Sequence, residues 1–222
     1  NNAFAQLPDG SFVAAGSRYM RWSAEGLSQY GSTPEILRES HVVVCRSWDK
    51  CETWRTVSEL RMPDRVGAAF YYYDGLLYLL MLPTQVPSGR VLVAVSKDGG
   101  ESWSEPVQVI SSEYEWFGGH QQNTVVENGR LYWAVSERFR EIVLLSCDID
   151  QGLQDPGAWR ISNRAVAPRL YPHEAEPPGA MGCLEANVIR VDGRLRVLGR
   201  ATVSRCGTTN MAALYNVDDN GA

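Results

Sequence analysis

Four hairpin dipeptides recur along this chain: Asp9-Gly10, Asp74-Gly75, Asn128-Gly129 and Asp192-Gly193, each between two short apolar runs. Asp-Gly and Asn-Gly favour type I′ turns, in which both central residues need positive φ. All four are therefore expected to close tight β-hairpins. After each hairpin a third run leads into a second signal. Residues 91–95 enter Ser96-Lys97-Asp98-Gly99-Gly100-Glu101-Ser102-Trp103, and residues 42–46 enter Ser47-Trp48-Asp49-Lys50-Cys51-Glu52-Thr53-Trp54. Trp103 follows Trp54 by 49 residues. Weaker copies begin at Ser146-Cys147-Asp148, with an insertion before Trp159, and at Asn216-Val217-Asp218.

Helical periodicity is scarce, so the chain reads as all-β. Each unit is a meander of about 50 residues, the size of a propeller blade. Propellers repeat such sheets radially and leave only short edges exposed. The expected fold is a six-bladed β-propeller with about four blades in one domain over residues 1–222. Their bounds fall near 1–60, 61–112, 113–166 and 180–222, and the last stops mid-blade.

Composition narrows the function. A net charge of −5 lacks the clustered basic face that nucleic acid requires. No apolar run approaches the length of a membrane helix, and Asn1-Asn2-Ala3-Phe4 lacks the pattern of a leader. The five cysteines form no CxxC pair, so neither a metal site nor a cofactor is expected. Cys183 and Cys206 could bridge if their strands are neighbours; otherwise the thiols are free and buried.

The pattern Ser-x-Asp-x-Gly-x-Ser/Thr-Trp has a structural logic. The Ser and Asp side chains can accept from turn amides, Gly100 can take a left-handed conformation, and Trp103 can bury its ring. At Cys51 the glycine is missing, so that turn must be strained or reshaped. The box is a folding device, and its Asp is not a catalytic acid.

These boxes resemble those of sialidases (neuraminidases), Asp-box propellers. Leu7-Pro8-Asp9-Gly10-Ser11-Phe12 is similar to the opening hairpin of that family, and Val42-Val43-Val44-Cys45-Arg46-Ser47 to the strand entering its first box. In the fourth unit, Glu185 in Leu184-Glu185-Ala186-Asn187 and Arg200 in Leu198-Gly199-Arg200 match a family Glu opening an inner strand and an Arg closing the next. The resemblance implies that this Glu polarises a Tyr nucleophile, an exception to the paired-carboxylate scheme. It implies that the Arg grips a substrate carboxylate. The alternative is an inter-strand ion pair. The chain departs from the family twice. No Arg stands near Asn1 or Asn2, and the acid/base Asp aligns with Gly16. The remaining Arg and the Tyr are expected beyond Ala222.

An antiparallel hairpin returns to the end it left. The same rim should therefore gather the start of each inner strand and the end of the next. That selects Glu185, Glu137 and His120 as candidate catalytic groups, with Glu137 able to pair with Glu185 as a second glycosidase carboxylate. Arg200, Arg18, Arg65, Gln122 and Arg138 are candidate substrate-binding groups. His120 can equally be a capped rim histidine. A long insertion from Tyr19, Arg21 and Trp22 to about Glu39 could cover the mouth or serve as a flap. His173 and Glu174, in a Pro-rich stretch, have too few companions for a metal.

The resulting expectation is a sialidase-like exo-glycosidase acting on a terminal acidic sugar of a glycan or glycoconjugate, with a secreted or periplasmic location implied by the family. Its rivals are a non-catalytic glycan-binding propeller and a structural or protein-interaction propeller.

Overall fold

The computed structural model describes residues 2–19, 40–62, 66–83, 90–111, 117–118, 124–137, 141–166, 183–202 and 210–217. They form four antiparallel sheets in sequence order. The first holds β1 (Asn2–Gln6), β2 (Phe12–Tyr19), β3 (Ser40–Ser47) and β4 (Arg55–Met62). The second holds β5 (Val66–Tyr73), β6 (Leu76–Pro83), β7 (Arg90–Ser96) and β8 (Val107–Ser111). The third comprises β9 (Phe117–Gly118), β10 (Thr124–Glu127), β11 (Arg130–Glu137), β12 (Glu141–Asp148), β13 (Trp159–Ile161) and β14 (Ala165–Val166). The fourth comprises β15 (Cys183–Val191), β16 (Arg194–Thr202) and β17 (Asn210–Asn216).

The first strands of successive sheets meet, β1 with β5, β5 with β10 and β10 with β15. They therefore line an axis, and each sheet is a blade of a β-propeller, as the repeat pattern predicted. Burial follows from this stacking. In β6, Leu77, Leu79 and Met81 pack towards the first blade while Tyr78, Leu80 and Leu82 pack towards the third. A strand buried on both faces reads as a continuous apolar run, which is what Leu-Leu-Tyr-Leu-Leu-Met-Leu is. A third cluster joins Tyr132, Ala134, Ile142 and Leu144 to Ala186, Val188, Leu195 and Val197 across the last junction.

Three of the four dipeptides make the expected turn. Asp74, Asn128 and Asp192 have φ of 47°, 49° and 50°, each followed by a glycine of positive φ. The first does not. Pro8 locks a negative φ and suits the second position of a type I turn. Leu7 accepts from the Gly10 amide at 2.9 Å, and only Gly10 is left-handed in that loop.

The 96–103 turn is closed by its own side chains. The Ser96 hydroxyl donates to Asp98 at 2.7 Å and accepts from the Gly100 amide at 2.8 Å, while Asp98 accepts from the Ser102 amide at 2.9 Å. The first blade repeats this set. Ser47 donates to Asp49 at 2.8 Å and accepts from the Cys51 amide at 2.9 Å, and Asp49 accepts from the Thr53 amide at 2.9 Å. Gly99 and Gly100 have φ of 74° and 99°; Lys50 and Cys51 hold φ of 58° and 73° in their place. The turn at Cys51 is thus strained, not reshaped. A left-handed non-glycine residue costs about 1–2 kcal/mol, part of which a glycine returns as unfolded-state entropy. Cys51→Gly is therefore expected to raise stability by about 0.5–1 kcal/mol in denaturant melts.

Trp103 clasps two blades. Its indole N–H points to the Ser58 hydroxyl of β4 at 3.0 Å and the Gly100 carbonyl at 3.2 Å, and its ring stacks on Phe70 of β5. Arg46 forms a second clasp. Its guanidinium, nearly buried, donates to Ser11 at 2.9 Å, to the Asp98 carbonyl at 3.3 Å and to Asp9, and lies over the Trp48 ring at 5.0 Å. In the third blade the insertion carries the one-turn 3-10 helix Pro156–Ala158, capped by Asp155. Gln154 from this insertion donates to the Val93 carbonyl at 3.1 Å, tying the third blade to the second.

Candidate functional site at the axial end of the inner strands

The blade topology gives the propeller two chemically different ends. The tight hairpins and the 47–54 and 96–103 turns lie at one, where β1, β5, β10 and β15 finish. The opposite end gathers the starts of those strands and the finishes of β2, β6, β11 and β16. Four of the sequence candidates stand there by backbone position: Arg18 near the end of β2, Glu137 closing β11, Glu185 near the start of β15 and Arg200 near the end of β16. The other four, Arg65, His120, Gln122 and Arg138, lie outside the described residues, as do the 20–39 insertion, His173 and Glu174.

The ladders give each position its neighbours. Arg18 is opposite His41, which is in turn opposite Arg61. Glu137 stands between Phe117 and Glu141, and Glu141 is ion-paired to Arg164 at 3.4 Å. Glu137 and Glu185 belong to β11 and β15, which pack directly against each other across the third junction. Gly16, where the resemblance expects the acid, is opposite Asn2, where it expects the first Arg. The two departures from the family thus occupy one cross-strand pair.

The pair Glu185 and Arg200 departs from simple hairpin geometry. Leu184, not Glu185, is the partner of Arg200, because the β15–β16 ladder slips by one residue between Leu184 and Asn187. Glu185 and Ala186 together oppose Gly199. No sequence signal marked this bulge, since neither glycine nor proline interrupts β15.

Sequence reasoning also passed over His41. Its Nδ1 lies 3.1 Å from a Glu59 carboxylate oxygen, on the two outer strands of the first blade at the same end. A histidine preceding the run Val42-Val43-Val44, in register with Arg18, was the available clue.

At the opposite end the two carboxylates that close the 47–54 and 96–103 turns are not usable acids. Burial pushes the Asp98 carboxyl up, but donation from the Ser102 side chain and amide and from Ser96 outweighs it and brings the group to about 2. Asp49 is held at about 2 by the Thr53 hydroxyl and amide and by Ser47. Both remain ionised at any ordinary pH and cannot deliver a proton to a leaving group. Burial pushes the Cys147 thiol up to about 12, Arg130 opposing only in part, so it is not a nucleophile. Cys45, Cys51 and Cys147 are free. Cys183 lies in β15 opposite Ala201 of β16, and Cys206 lies outside the described residues.

Comparison with known proteins agrees with the architecture. In sequence the chain matches no family model and no curated protein. In structure it is similar to an α-L-arabinofuranosidase from Lactobacillus brevis, with a TM-score of 0.67, 11% identity, and coverage of 100% of this chain and 73% of that one. It is also similar to the Hadza microbial sialidase Hz136, with a TM-score of 0.61, 15% identity, and coverage of 97% and 45%. A Penicillium chrysogenum α-L-arabinanase complexed with arabinobiose gives a TM-score of 0.57, 16% identity, and coverage of 96% and 60%. The chain therefore spans less than two thirds of the sialidase and of the arabinanase. At these identities the likeness establishes the propeller fold.

Proposed function

We propose that the protein is a propeller glycoside hydrolase removing a terminal acidic sugar from glycans. Glu185 and Glu137 supply the carboxylates, and Arg200 grips the anionic group of the sugar. The observation that carries this reading is the direct packing of β11 on β15, which makes the strands that hold the two glutamates neighbours across a blade junction. Glycosidases need two carboxyl groups flanking the scissile bond, or one carboxylate serving a different nucleophile. A guanidinium fork suits a sugar carboxylate. The names of the similar structures, sialidase, arabinofuranosidase and arabinanase, support hydrolysis of a glycosidic bond as the reaction class. They leave sialic acid and arabinose as alternative substrates; Arg200 favours the acidic one.

Glu185→Gln in the full-length protein is expected to lower turnover of aryl glycosides by about 100-fold or more, the scale of lost acid–base assistance. Undiminished turnover across a panel of such glycosides would sink the assignment. Gly16 opposite Asn2 favours a second reading, a propeller that binds glycans without cleaving them. Retention on a glycan array by a wild-type protein inert towards the whole panel would establish that reading instead.

A further inference from the structure

The slip in the β15–β16 ladder bears on how Glu185 and Arg200 can work. From Asn187↔Leu198 to Val191↔Arg194 the register runs without interruption. Continued unbroken, it would seat Glu185 directly opposite Arg200. Antiparallel partners so placed have Cβ atoms about 4.5–5.5 Å apart, the geometry of a cross-strand ion pair. The observed ladder gives that seat to Leu184 and pairs Cys183 with Ala201. One extra residue has been admitted into β15 at the position that would have joined carboxylate to guanidinium.

The first two blades lack such a slip, whereas in the third β9 and β10 pair β11 in registers three residues apart. The β1–β2 and β5–β6 ladders run continuously from Asn2↔Gly16 and from Val66↔Pro83 to their hairpins. The bulges that do recur lie between third and fourth strands, at Val44/Cys45 and at Val91/Leu92. The extra residue in β15 is housed by small neighbours. Ala186 is fully buried and resumes the face of Val188 against the third blade, and the opposing residue is the buried Gly199. A bulge sacrifices ladder pairing and re-aims the strand locally, a cost usually met where a side chain must be directed.

We infer that this bulge is a positioning element that keeps Glu185 out of the seat facing Arg200, so that the two groups engage the substrate separately instead of neutralising each other. The inference rests on the reading of the site given above and assigns the groups different tasks. Arg200 contributes to holding the sugar, and Glu185 to the reacting end. Gly199 and Ala186 are positioning residues, since they make room for the extra residue.

The test uses Glu185→Gln, Arg200→Gln and the double variant in the full-length protein. Independent groups give shifts in Tm that add within error, as for sites that share no direct contact. A double variant whose shift is well short of the sum reveals an ion pair and overturns the inference. This arm needs no activity. The kinetic arm expects Glu185→Gln to lower kcat about 100-fold with KM changed less than about threefold. Arg200→Gln should raise KM about tenfold or more with kcat little changed. Equal loss of kcat in both variants also overturns the inference. The exchange Leu184→Glu/Glu185→Leu keeps composition and seats a glutamate opposite Arg200; it should be as inactive as Glu185→Gln, and turnover near wild type would contradict the positioning role. Should the exchanged protein not fold, additivity of Tm still decides. Failure of the underlying reading is distinguishable, because turnover would then be unchanged in Glu185→Gln itself.

Discussion

Trp133→Ala is expected to destabilise the protein by about 3–5 kcal/mol, the range for removing a fully buried large aromatic ring. Trp133 is wholly inaccessible, mid-strand in β11, within the cluster that joins the second and third blades. The surrounding Leu80, Leu82, Val91 and Val93 belong to strands held by ladders on both sides and cannot collapse into the vacancy. Against a typical total of about 5–15 kcal/mol, such a loss leaves a protein that melts near ambient temperature. The indole nitrogen adds a discriminating control. It finds no acceptor among the described residues, whereas the Trp159 indole donates to the Leu153 carbonyl at 2.9 Å. Trp133→Phe therefore forfeits only volume, while Trp159→Phe forfeits a hydrogen bond as well. The second should cost about 1 kcal/mol more than the first in urea melts. Equal costs would mean that the Trp133 N–H is satisfied after all.

Arg46→Ala is expected to cost about 2–3 kcal/mol, from three sources with different weights. Its hydrogen bonds to Ser11 and to the Asp98 carbonyl join the first-blade hairpin to the second-blade turn, and removal leaves these groups without their donor. The aliphatic stem and the stacking over Trp48 add packing. The ion pair with Asp9 adds least, because the Asp9 side chain is 52% exposed while that of Arg46 is only 10% exposed. Asp9→Asn should therefore cost well under half as much as Arg46→Ala, and the loss in Arg46→Ala should persist in 1 M salt, where exposed pairs are screened. Gly99 belongs to the same clasp. A Cβ at that position would come within 2.5 Å of the Arg46 guanidinium, so Gly99→Ala should displace it and reproduce part of the loss.

The blades were legible in the sequence because their punctuation is local. Asp74-Gly75, Asn128-Gly129 and Asp192-Gly193 fold their turns from two residues each, and Ser96, Asp98 and Ser102 satisfy one another within a single turn. What was illegible depends on partners far along the chain. Arg46 meets Ser11 and Asp98 from other turns, so no window around it announces a clasp. Pro8 overrode the dipeptide rule at Asp9-Gly10. At Cys51 the side-chain hydrogen bonds of the turn prevailed over the residue's dislike of positive φ. The site was legible only as a set of positions. Hairpin logic put Arg18, Glu137, Glu185 and Arg200 at one end, where their strands do lie. It expected Glu185 and Arg200 to share one rim, and it did not foresee that the ladder slips by one residue between Leu184 and Asn187. At the slip Ala186 packs in the cluster shared with the third blade and Gly199 is buried opposite, partners that the sequence of β15 alone does not encode.

That function resides at the axial end, while the recurrent turns serve only the fold, is tested most directly by hydrogen exchange of the full-length protein with and without a sialylated oligosaccharide. Slowed exchange is expected in peptides covering 183–188 and 197–202, with exchange in 47–54 and 96–103 unchanged. Protection confined to those two turns, with the ends of β15 and β16 unaffected, would contradict it.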